Sequence, residues 1–210
     1  MRAVASQKQG WWLLLVILGA GLGGCQTVPQ SGSELGWPDR EKLLRRQTSF
    51  ETTGRLSLTV PSTTNQASFA LSVDKRDLGL KLSGPFGIGA IRLEVTDGKG
   101  RLISAKHGNI ALDNTEEDLL ELLGYPVPLN AIRYWALGLP QPKVPSERTY
   151  SDDWRLLKTL DQQGWKVKFE SYRAVALDPD KPDVQIELPR KVRLEGPDVS
   201  ILMVFRHWRF

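Results

Sequence analysis

Polar and apolar residues alternate with a period of two over much of the first half of the chain, and this pattern constrains the fold more than any other feature. Six such segments follow one another between Gly54 and Leu112, separated by short stretches that form turns. Alternation is typical of strands with one buried face, and this spacing favours pairing between consecutive strands. We therefore predict an antiparallel meander with one covered side. Its strands are predicted at 54–60, 67–73, 78–82, 91–95, 101–104 and 109–112.

Helices are predicted where the period changes from two to about 3.6. A short amphipathic helix opens at Pro38 and Asp39, and two strongly apolar helices follow the sixth strand, ending at Gly124 and Gly138. Nothing else in the chain is large enough to cover the apolar stripes of the last two helices, so they should lie on the concave side of the sheet. The predicted helices are 39–47, 115–123 and 129–138.

Strands resume after a loop predicted over 141–153, which is rich in proline and charge. About eleven strands would form a sheet wide enough to curl. The predicted fold class is therefore mainly β (α+β): a curled antiparallel sheet that forms a half-open β-barrel of about eleven strands, with helices covering a hydrophobic cavity. The later strands are predicted at 155–160, 165–170, 172–175, 190–194 and 199–206.

The connection between the third and fourth strands, Ser83 to Ala90, carries apolar side chains where a hairpin tip is expected. Proline cannot donate to a strand ladder and glycine permits positive φ, so Pro85 and Gly87 favour a tip that projects from the sheet. Exposing Phe86 and Ile88 there forgoes roughly 1.5–3 kcal/mol of burial free energy for each large side chain. Either Phe86 folds back onto its own protein, or it meets a partner other than water.

The first 25 residues have the pattern of a secretory signal. Arg2 and Lys8 precede a short apolar run, 11–18, and small residues follow it up to Cys25. The segment Leu22-Gly23-Gly24-Cys25 resembles the bacterial lipobox, which implies diacylglycerol transfer to Cys25, cleavage after Gly24 and acylation of the new amino terminus. The alternative is a simple signal peptide with a chance cysteine. Cys25 is the only cysteine in the chain, so it cannot form an intramolecular disulfide.

Three regions follow from these features: a lipoprotein signal peptide (1–24), a lipidated N-terminus with a flexible tether (25–38) and one domain (39–210). The tether is rich in Gly, Ser, Pro and Gln. Two or three acyl chains hold a protein durably at a bilayer, so the mature chain should be lipid-anchored. In bacterial lipoproteins Asp after the cysteine signals retention in the inner membrane, and Gln26 therefore implies the periplasmic face of the outer membrane.

The composition gives little support to nucleic-acid binding or catalysis. Without Arg2 and Lys8 the chain carries 26 Lys and Arg against 24 Asp and Glu, a balance too even to suggest nucleic-acid binding, and the chain has no long run of Lys and Arg. His107 and His207 stand in no catalytic or ligand spacing and are expected on strand surfaces. The acids at 116–118 suit the first turn of a helix better than a metal site. We expect no enzyme, no metal and no cofactor.

Several motifs together resemble the family of the outer-membrane lipoprotein receptor LolB. They are the lipobox, Gly54-Arg55, the L-x-x-P-[LF]-G tip from Leu82 to Gly87, the G-x-P-[IV]-P-L-x-x-[IL]-x-x-W-x-L-G-L-P block from Gly124 to Pro140, G-W-x-V at 164–167 and Trp208. The helix block is the most specific of these, and the resemblance extends from about Leu43 to Trp208.

The resemblance implies a receptor that accepts triacylated lipoproteins from the periplasmic carrier LolA, holds their acyl chains in a hydrophobic cavity and inserts them into the outer membrane. Its partners would be the loaded carrier, the cargo and outer-membrane lipid, with no nucleic acid, and the chain would act as a monomer. The membrane insertion loop would consist of Pro85, Phe86, Gly87 and Ile88, with Phe86 where the family usually has Leu.

Helical periodicity alone suggests which side chains line the cavity: Leu119, Leu123, Ile132 and Trp135. Two other functions stay open. A soluble carrier of the same architecture would lack acyl groups on Cys25, and a structural lipoprotein that scaffolds an outer-membrane assembly would need no cavity.

Overall fold

The computed structural model describes residues 35–85 and 89–210, which form eleven strands and three helices. The signal peptide, Cys25 and most of the tether therefore lie outside the described residues, as do Phe86, Gly87 and Ile88. The elements in chain order are α1 (Trp37–Leu44), β1 (Ser49–Val60), β2 (Thr63–Asp74), β3 (Asp77–Ser83), β4 (Ile91–Thr96), β5 (Lys99–Ser104), β6 (Gly108–Leu112), α2 (Thr115–Leu123), α3 (Leu129–Trp135), β7 (Glu147–Tyr150), β8 (Leu157–Gln162), β9 (Trp165–Ala176), β10 (Gln185–Gly196) and β11 (Val199–Arg209).

All of these strands belong to one antiparallel sheet with the order β6-β5-β4-β3-β2-β1-β11-β10-β9-β8-β7. The sheet consists of two meanders joined by the pairing of β1 with β11. Its two edges, β6 and β7, are consecutive in the chain except for α2 and α3, which lie between them. The predicted mainly β, unclosed architecture is confirmed.

Every second residue of the strands faces the same side of the sheet, where the core lies. On β2, for example, Phe69, Leu71 and Val73 are buried while Ser68 and Ser72 are exposed. This is the alternation that predicts the strands from sequence, because neighbouring side chains on a strand point to opposite faces.

Gly54 allows the two meanders to join closely. The register between β1 and β11 shifts between Thr53 and Gly54. A Cβ atom at this position would collide with the carbonyl oxygen of Val204 and with the ring of Phe69. Backbone atoms in a paired strand cannot move aside, so only glycine fits at this position.

The strand count agrees with the prediction, but three predicted boundaries in the second meander are wrong. The predicted loop 141–153 contains the short edge strand β7. The segments predicted as two strands, 165–170 and 172–175, form the single strand β9. Strand β10 begins at Gln185 rather than Arg190 and passes through Pro189, where the register with β9 shifts. A bulge is one of the few places where a sheet tolerates proline.

Helix α1 attaches the start of the described chain to β9 and β10. It begins at Trp37, two residues before the predicted start of the domain. Its Arg40 is buried, lies 5.6 Å from the ring centroid of Tyr172 and donates a hydrogen bond to the carbonyl of Glu187. Burial lowers the pKa of Arg40 and raises the pKa of Tyr172, whose hydroxyl donates to the carbonyl of Leu157 at 2.7 Å. The contacts of Arg40 with Tyr172 and Glu187 hold α1 on the sheet, next to the point where the tether ends.

Candidate functional site: an apolar cavity under two helices

An apolar cavity of about 150 Å³ lies between the concave face of the sheet and the helices α2 and α3. Seventeen of its twenty lining residues are apolar, and the other three are Ser104, His107 and Tyr125. The apolar lining residues are Leu56, Leu58, Leu71, Leu80, Leu82, Ile91, Leu93, Leu102, Leu119, Leu123, Val127, Pro128, Leu129, Ile132, Leu194, Ile201 and Met203.

The floor of the cavity is a row of aliphatic side chains that crosses several strands. The register pairs Leu71 with Leu80, Leu80 with Leu93, and Leu93 with Leu102, so these four leucines lie side by side on β2 to β5. Side chains opposite each other on neighbouring strands are in contact range. The strands therefore present one continuous aliphatic surface to the helices.

Part of this floor is incompletely covered. Leu56, Leu58, Leu80, Leu82 and Ile91 are only half-buried, although all of them line the cavity. A half-buried leucine keeps part of its apolar surface in contact with water or empty space, so some burial free energy is not gained. The floor is an apolar surface on which a further apolar group could still be buried.

Helices α2 and α3 form the roof. Leu119 is buried on the inner side of α2, whereas Leu120, the next residue, is 45% exposed on the outside. The left-handed backbone of Gly124, with φ of 79°, ends α2 and allows the chain to turn towards α3. The inner side of α2 thus borders the cavity through Leu119 and Leu123 and packs over β5 and β6.

A few polar contacts at the rim hold the roof in place. Glu116 on α2 accepts a hydrogen bond from the backbone N–H of Asn130 on α3 at 2.8 Å. Arg133 on α3 donates to the carbonyl oxygens of Lys75 and Arg76, in the turn between β2 and β3, at 3.2 and 2.9 Å. These bonds are exposed, and water can replace each of them.

The C-terminal end of α3 is held much more firmly. The Trp135 indole N–H donates to the side-chain oxygen of Gln162 on β8 at 3.1 Å, and that oxygen also accepts from the backbone N–H of Gln141. The Gln162 amide in turn donates to the carbonyls of Gln141 and Val144. Gln162 is only 3% exposed, so these hydrogen bonds lie away from water. The roof is therefore fixed at this end, whereas the side-chain hydrogen bonds of α2, with Asn130 and from Thr115 to the carbonyl of Gly98, are exposed.

The predicted cavity-lining residues fall into two groups. Leu119, Leu123 and Ile132 border the cavity. Trp135 does not: its ring is fully buried, 6.3 Å from the ring centroid of Trp165, and its N–H faces Gln162. Trp135 lies only three residues from Ile132 on α3, but the helix ends there and packs against β8.

The structure leaves the predicted insertion loop largely undescribed. Pro85 is exposed at the end of β3, and Phe86, Gly87 and Ile88 lie outside the described residues, as does Cys25. The roles predicted for these residues stay predictions.

Most of the lining is contributed by strand leucines that sequence reasoning did not assign to a cavity. Their alternation marks them as inward-facing but does not distinguish a filled interior from a hollow one. His107, predicted on a strand surface, lies in the turn between β5 and β6 and borders the cavity. No sequence signal marked it, because turn residues have no periodicity.

No helix within residues 35–85 and 89–210 is long and apolar enough to cross a membrane. Nor do these residues contain a group of three or more His, Cys, Asp or Glu side chains that could hold a metal ion.

Comparison with known proteins identifies the family. A family model described as "Outer membrane lipoprotein LolB" matches residues 48–208. The chain belongs to the LolB family. Membership makes it an outer-membrane lipoprotein receptor, lipid-anchored at that membrane, that serves lipoprotein transport and is not an enzyme.

The relatives extend over nearly the whole chain. The outer-membrane lipoprotein LolB of Pseudomonas fluorescens strain Pf-5 is 27% identical over 90% of this chain and 88% of its own length. The LolB protein of Pseudomonas aeruginosa strain PAO1 is 26% identical, with the same two coverages. Among solved structures, a LolA superfamily protein from Nitrosomonas europaea has a TM-score of 0.48 and 6% identity, and the alignment covers 83% of this chain and 93% of that one.

Proposed function

We propose that this chain accepts lipoproteins from a soluble carrier of the LolA type, holds their acyl chains between the helices and the row of leucines, and inserts them into the outer membrane. The observation that carries the proposal is the apolar cavity under α2 and α3 in a member of the LolB family. A triacylated cargo needs such a site, because each methylene left in water costs about 0.8 kcal/mol.

The cavity is too small to hold the cargo without rearrangement. Its volume of about 150 Å³ is below the roughly 300–1,000 Å³ of typical ligand sites. Loading therefore requires the roof to move away from the floor. The side-chain hydrogen bonds of α2 are exposed, which favours movement at that helix, while the hydrogen bonds of Gln162 keep the end of α3 in place.

Delivery needs no nucleotide if the affinity for the acyl chains increases from the carrier to this cavity and from this cavity to the bilayer. The connection between β3 and β4 would bring the receptor to the membrane, with Phe86 and Ile88 in the acyl region. Anchoring through acylated Cys25 would keep the receptor at the outer membrane, and the tether would allow the domain to reorient.

Lipid binding is tested first, with the mature chain carrying Cys25→Ala, which keeps every other residue but has no anchor. We expect it to bind a fluorescent fatty acid and to release it when an acylated peptide is added. If neither ligand binds, the cavity does not hold lipid and the proposed function is wrong.

Delivery is tested by transfer of a lipoprotein from a loaded carrier to liposomes. Phe86→Glu should accept the cargo but stop insertion, because a carboxylate resists entry into the acyl region. Phe86→Leu is the matched control and should transfer at the wild-type rate. Wild-type transfer by the Glu variant would exclude this loop from the mechanism.

The two other functions make different predictions. A soluble carrier would show no acyl groups on Cys25 in mass spectrometry of the mature amino terminus. A scaffold lipoprotein would require no cavity, and the hollow under α2 favours the receptor over this alternative.

A further inference from the structure

Three polar side chains interrupt the apolar lining of the cavity, and we call them the polar pole: Ser104, His107 and Tyr125. Ser104 is the last residue of β5, His107 lies in the turn that follows, and Tyr125 comes directly after the end of α2. The backbone N–H of His107 donates to the Ser104 hydroxyl oxygen at 3.0 Å, which orders the turn. Floor and roof therefore both contribute to the pole.

Two members of the polar pole, Ser104 and His107, lie at a defined end of the sheet. The register pairs Leu82 with Ile91, Ile91 with Ser104, and Ser104 with Gly108. The connection between β3 and β4 leaves the sheet just beyond Leu82, at this same end. The row of Leu71, Leu80, Leu93 and Leu102 crosses the same strands two residues further from that end.

The pole has donor capacity that the rest of the protein does not use. Among the described residues, neither the His107 ring nor the Tyr125 hydroxyl has a hydrogen-bond partner. The Ser104 hydroxyl accepts one bond and is still able to donate. The Tyr125 phenol is a neutral donor at physiological pH, and burial raises its pKa further.

The lipid of a lipoprotein is not purely apolar. Two of its acyl chains are esters of a glycerol that a thioether joins to the amino-terminal cysteine, and the third is an amide of the cysteine nitrogen. The carbonyl oxygens of these groups lose their water when the chains enter a cavity. Burying such an oxygen without a hydrogen bond is unfavourable, whereas a donor at the root of the chains compensates for the lost water.

We propose that the polar pole binds these carbonyl oxygens and thereby fixes the direction of the cargo. The acyl chains extend along the leucine row, and the protein part of the cargo leaves at the end of the sheet that carries the β3–β4 connection. This inference rests on the proposed function and adds to it the chemical group that the receptor recognises.

The test compares two ligands on the mature Cys25→Ala chain. One is a triacylated cysteine peptide, and the other is a fluorescent alkyl probe of similar length without carbonyl groups. The double variant His107→Leu with Tyr125→Phe should weaken peptide binding by about tenfold or more, since unpaired carbonyls are strongly disfavoured. Affinity for the alkyl probe should stay within about twofold of wild type, because the apolar floor is unchanged.

The chain offers matched controls for both substitutions. His207→Leu changes an exposed histidine on β11, and Tyr134→Phe changes a tyrosine on α3 that does not border the cavity. Both controls should bind the peptide like wild type. Circular dichroism melting curves establish whether each variant folds, and each single variant is measured if the double variant melts early.

The outcomes separate the two proposals. If the double variant loses affinity equally for both ligands, or loses none for the peptide, the polar pole does not bind the carbonyl oxygens. The proposal that the cavity holds acyl chains would still stand. A wild-type chain that binds neither ligand would overturn the proposed function itself. A short-chain phospholipid shares only the ester groups of the cargo lipid. If the variants weaken binding of this phospholipid but not of the peptide, the polar pole does not recognise the cargo.

Discussion

The two sides of the interior are packed very differently. On the side of β8 to β10, which we call the packed side, Leu157, Leu160, Val167 and Leu188 are at most 1% exposed. On the side of β1 to β5, the cavity side, aliphatic residues such as Leu58 and Leu80 are only half-buried around an empty space. Both sides use the same residue types on the same kind of strand. The difference arises from what covers them.

The polar contacts that attach the helices also differ between the two sides. The packed side holds the buried Gln162 with its hydrogen bonds, and α1 is attached there through Arg40. The roof over the cavity side is held at its rim by exposed bonds such as those of Arg133 to the carbonyls of Lys75 and Arg76. We infer that the packed side provides stability, whereas the cavity side has incomplete burial that a ligand can complete.

The largest expected effect compares one substitution on the two sides. Leu160→Ala removes a fully buried side chain from the packed side and should lower the free energy of unfolding by about 3–4 kcal/mol. Leu80→Ala enlarges an existing space and should cost only about 1 kcal/mol. Urea unfolding of both variants measures the contrast, and equal losses would show that the division is wrong.

The second effect concerns the buried polar contacts. Gln162→Leu keeps the volume but leaves the Trp135 N–H and the backbone groups of Gln141 and Val144 unpaired. We expect a loss of about 2–3 kcal/mol in urea unfolding. Gln66→Leu, at an exposed position on β2, is the control and should change stability by less than about 0.5 kcal/mol. If the Gln162 variant is as stable as this control, the hydrogen bonds of Gln162 do not fix the end of α3.

The third effect is on binding and not on stability. Leu80→Phe places a larger apolar side chain into the empty space and should change the free energy of unfolding by less than about 1 kcal/mol. Affinity for the fluorescent fatty acid should fall by about tenfold, because the space is occupied. Undiminished affinity would mean that acyl chains bind elsewhere. The two measurements together test whether this side serves binding alone.

The smallest effect is expected on the outer face of the packed side. Glu170 accepts from Lys191 at 2.7 Å and from Arg193 at 2.9 Å, and the Lys191 contact contributes most to lowering its pKa. A lowered carboxyl pKa contributes stability above the pKa of the unfolded chain, and this stability is lost as the pH falls through the folded pKa.

In Lys191→Met the pKa of Glu170 should rise towards its ordinary value, while stability near neutral pH changes little, since the pair is partly exposed. NMR titration of the Glu170 carboxyl measures the shift. An unchanged pKa would assign the effect to Arg193 instead.

Alternation predicted the first meander well, because each of its strands has one face in the core and one in water. It failed at β7, where Glu147, Arg148 and Thr149 are all exposed and only Tyr150 is partly buried. Short polar strands at a sheet edge resemble loops in sequence. It also failed at β10, since a proline such as Pro189 normally ends a strand and only the register shift accommodates it.

The site was less predictable than the fold. Helical periodicity selected Leu119, Leu123 and Ile132, which border the cavity, but it could not show that α3 ends at Trp135 and packs against β8. Whether an inward face meets a neighbour or a void depends on the distance between roof and floor, and no local pattern encodes that distance.

The sheet order has one further consequence. Within the described residues no hydrogen-bonded pairing joins β6 to β7, the two edges of the sheet. The circumference can therefore increase to admit a larger guest without the breaking of any backbone ladder. A fully closed barrel would have to disrupt a whole row of hydrogen bonds for the same expansion, whereas here the resistance comes from side-chain packing and from the hydrogen bonds that hold the helices.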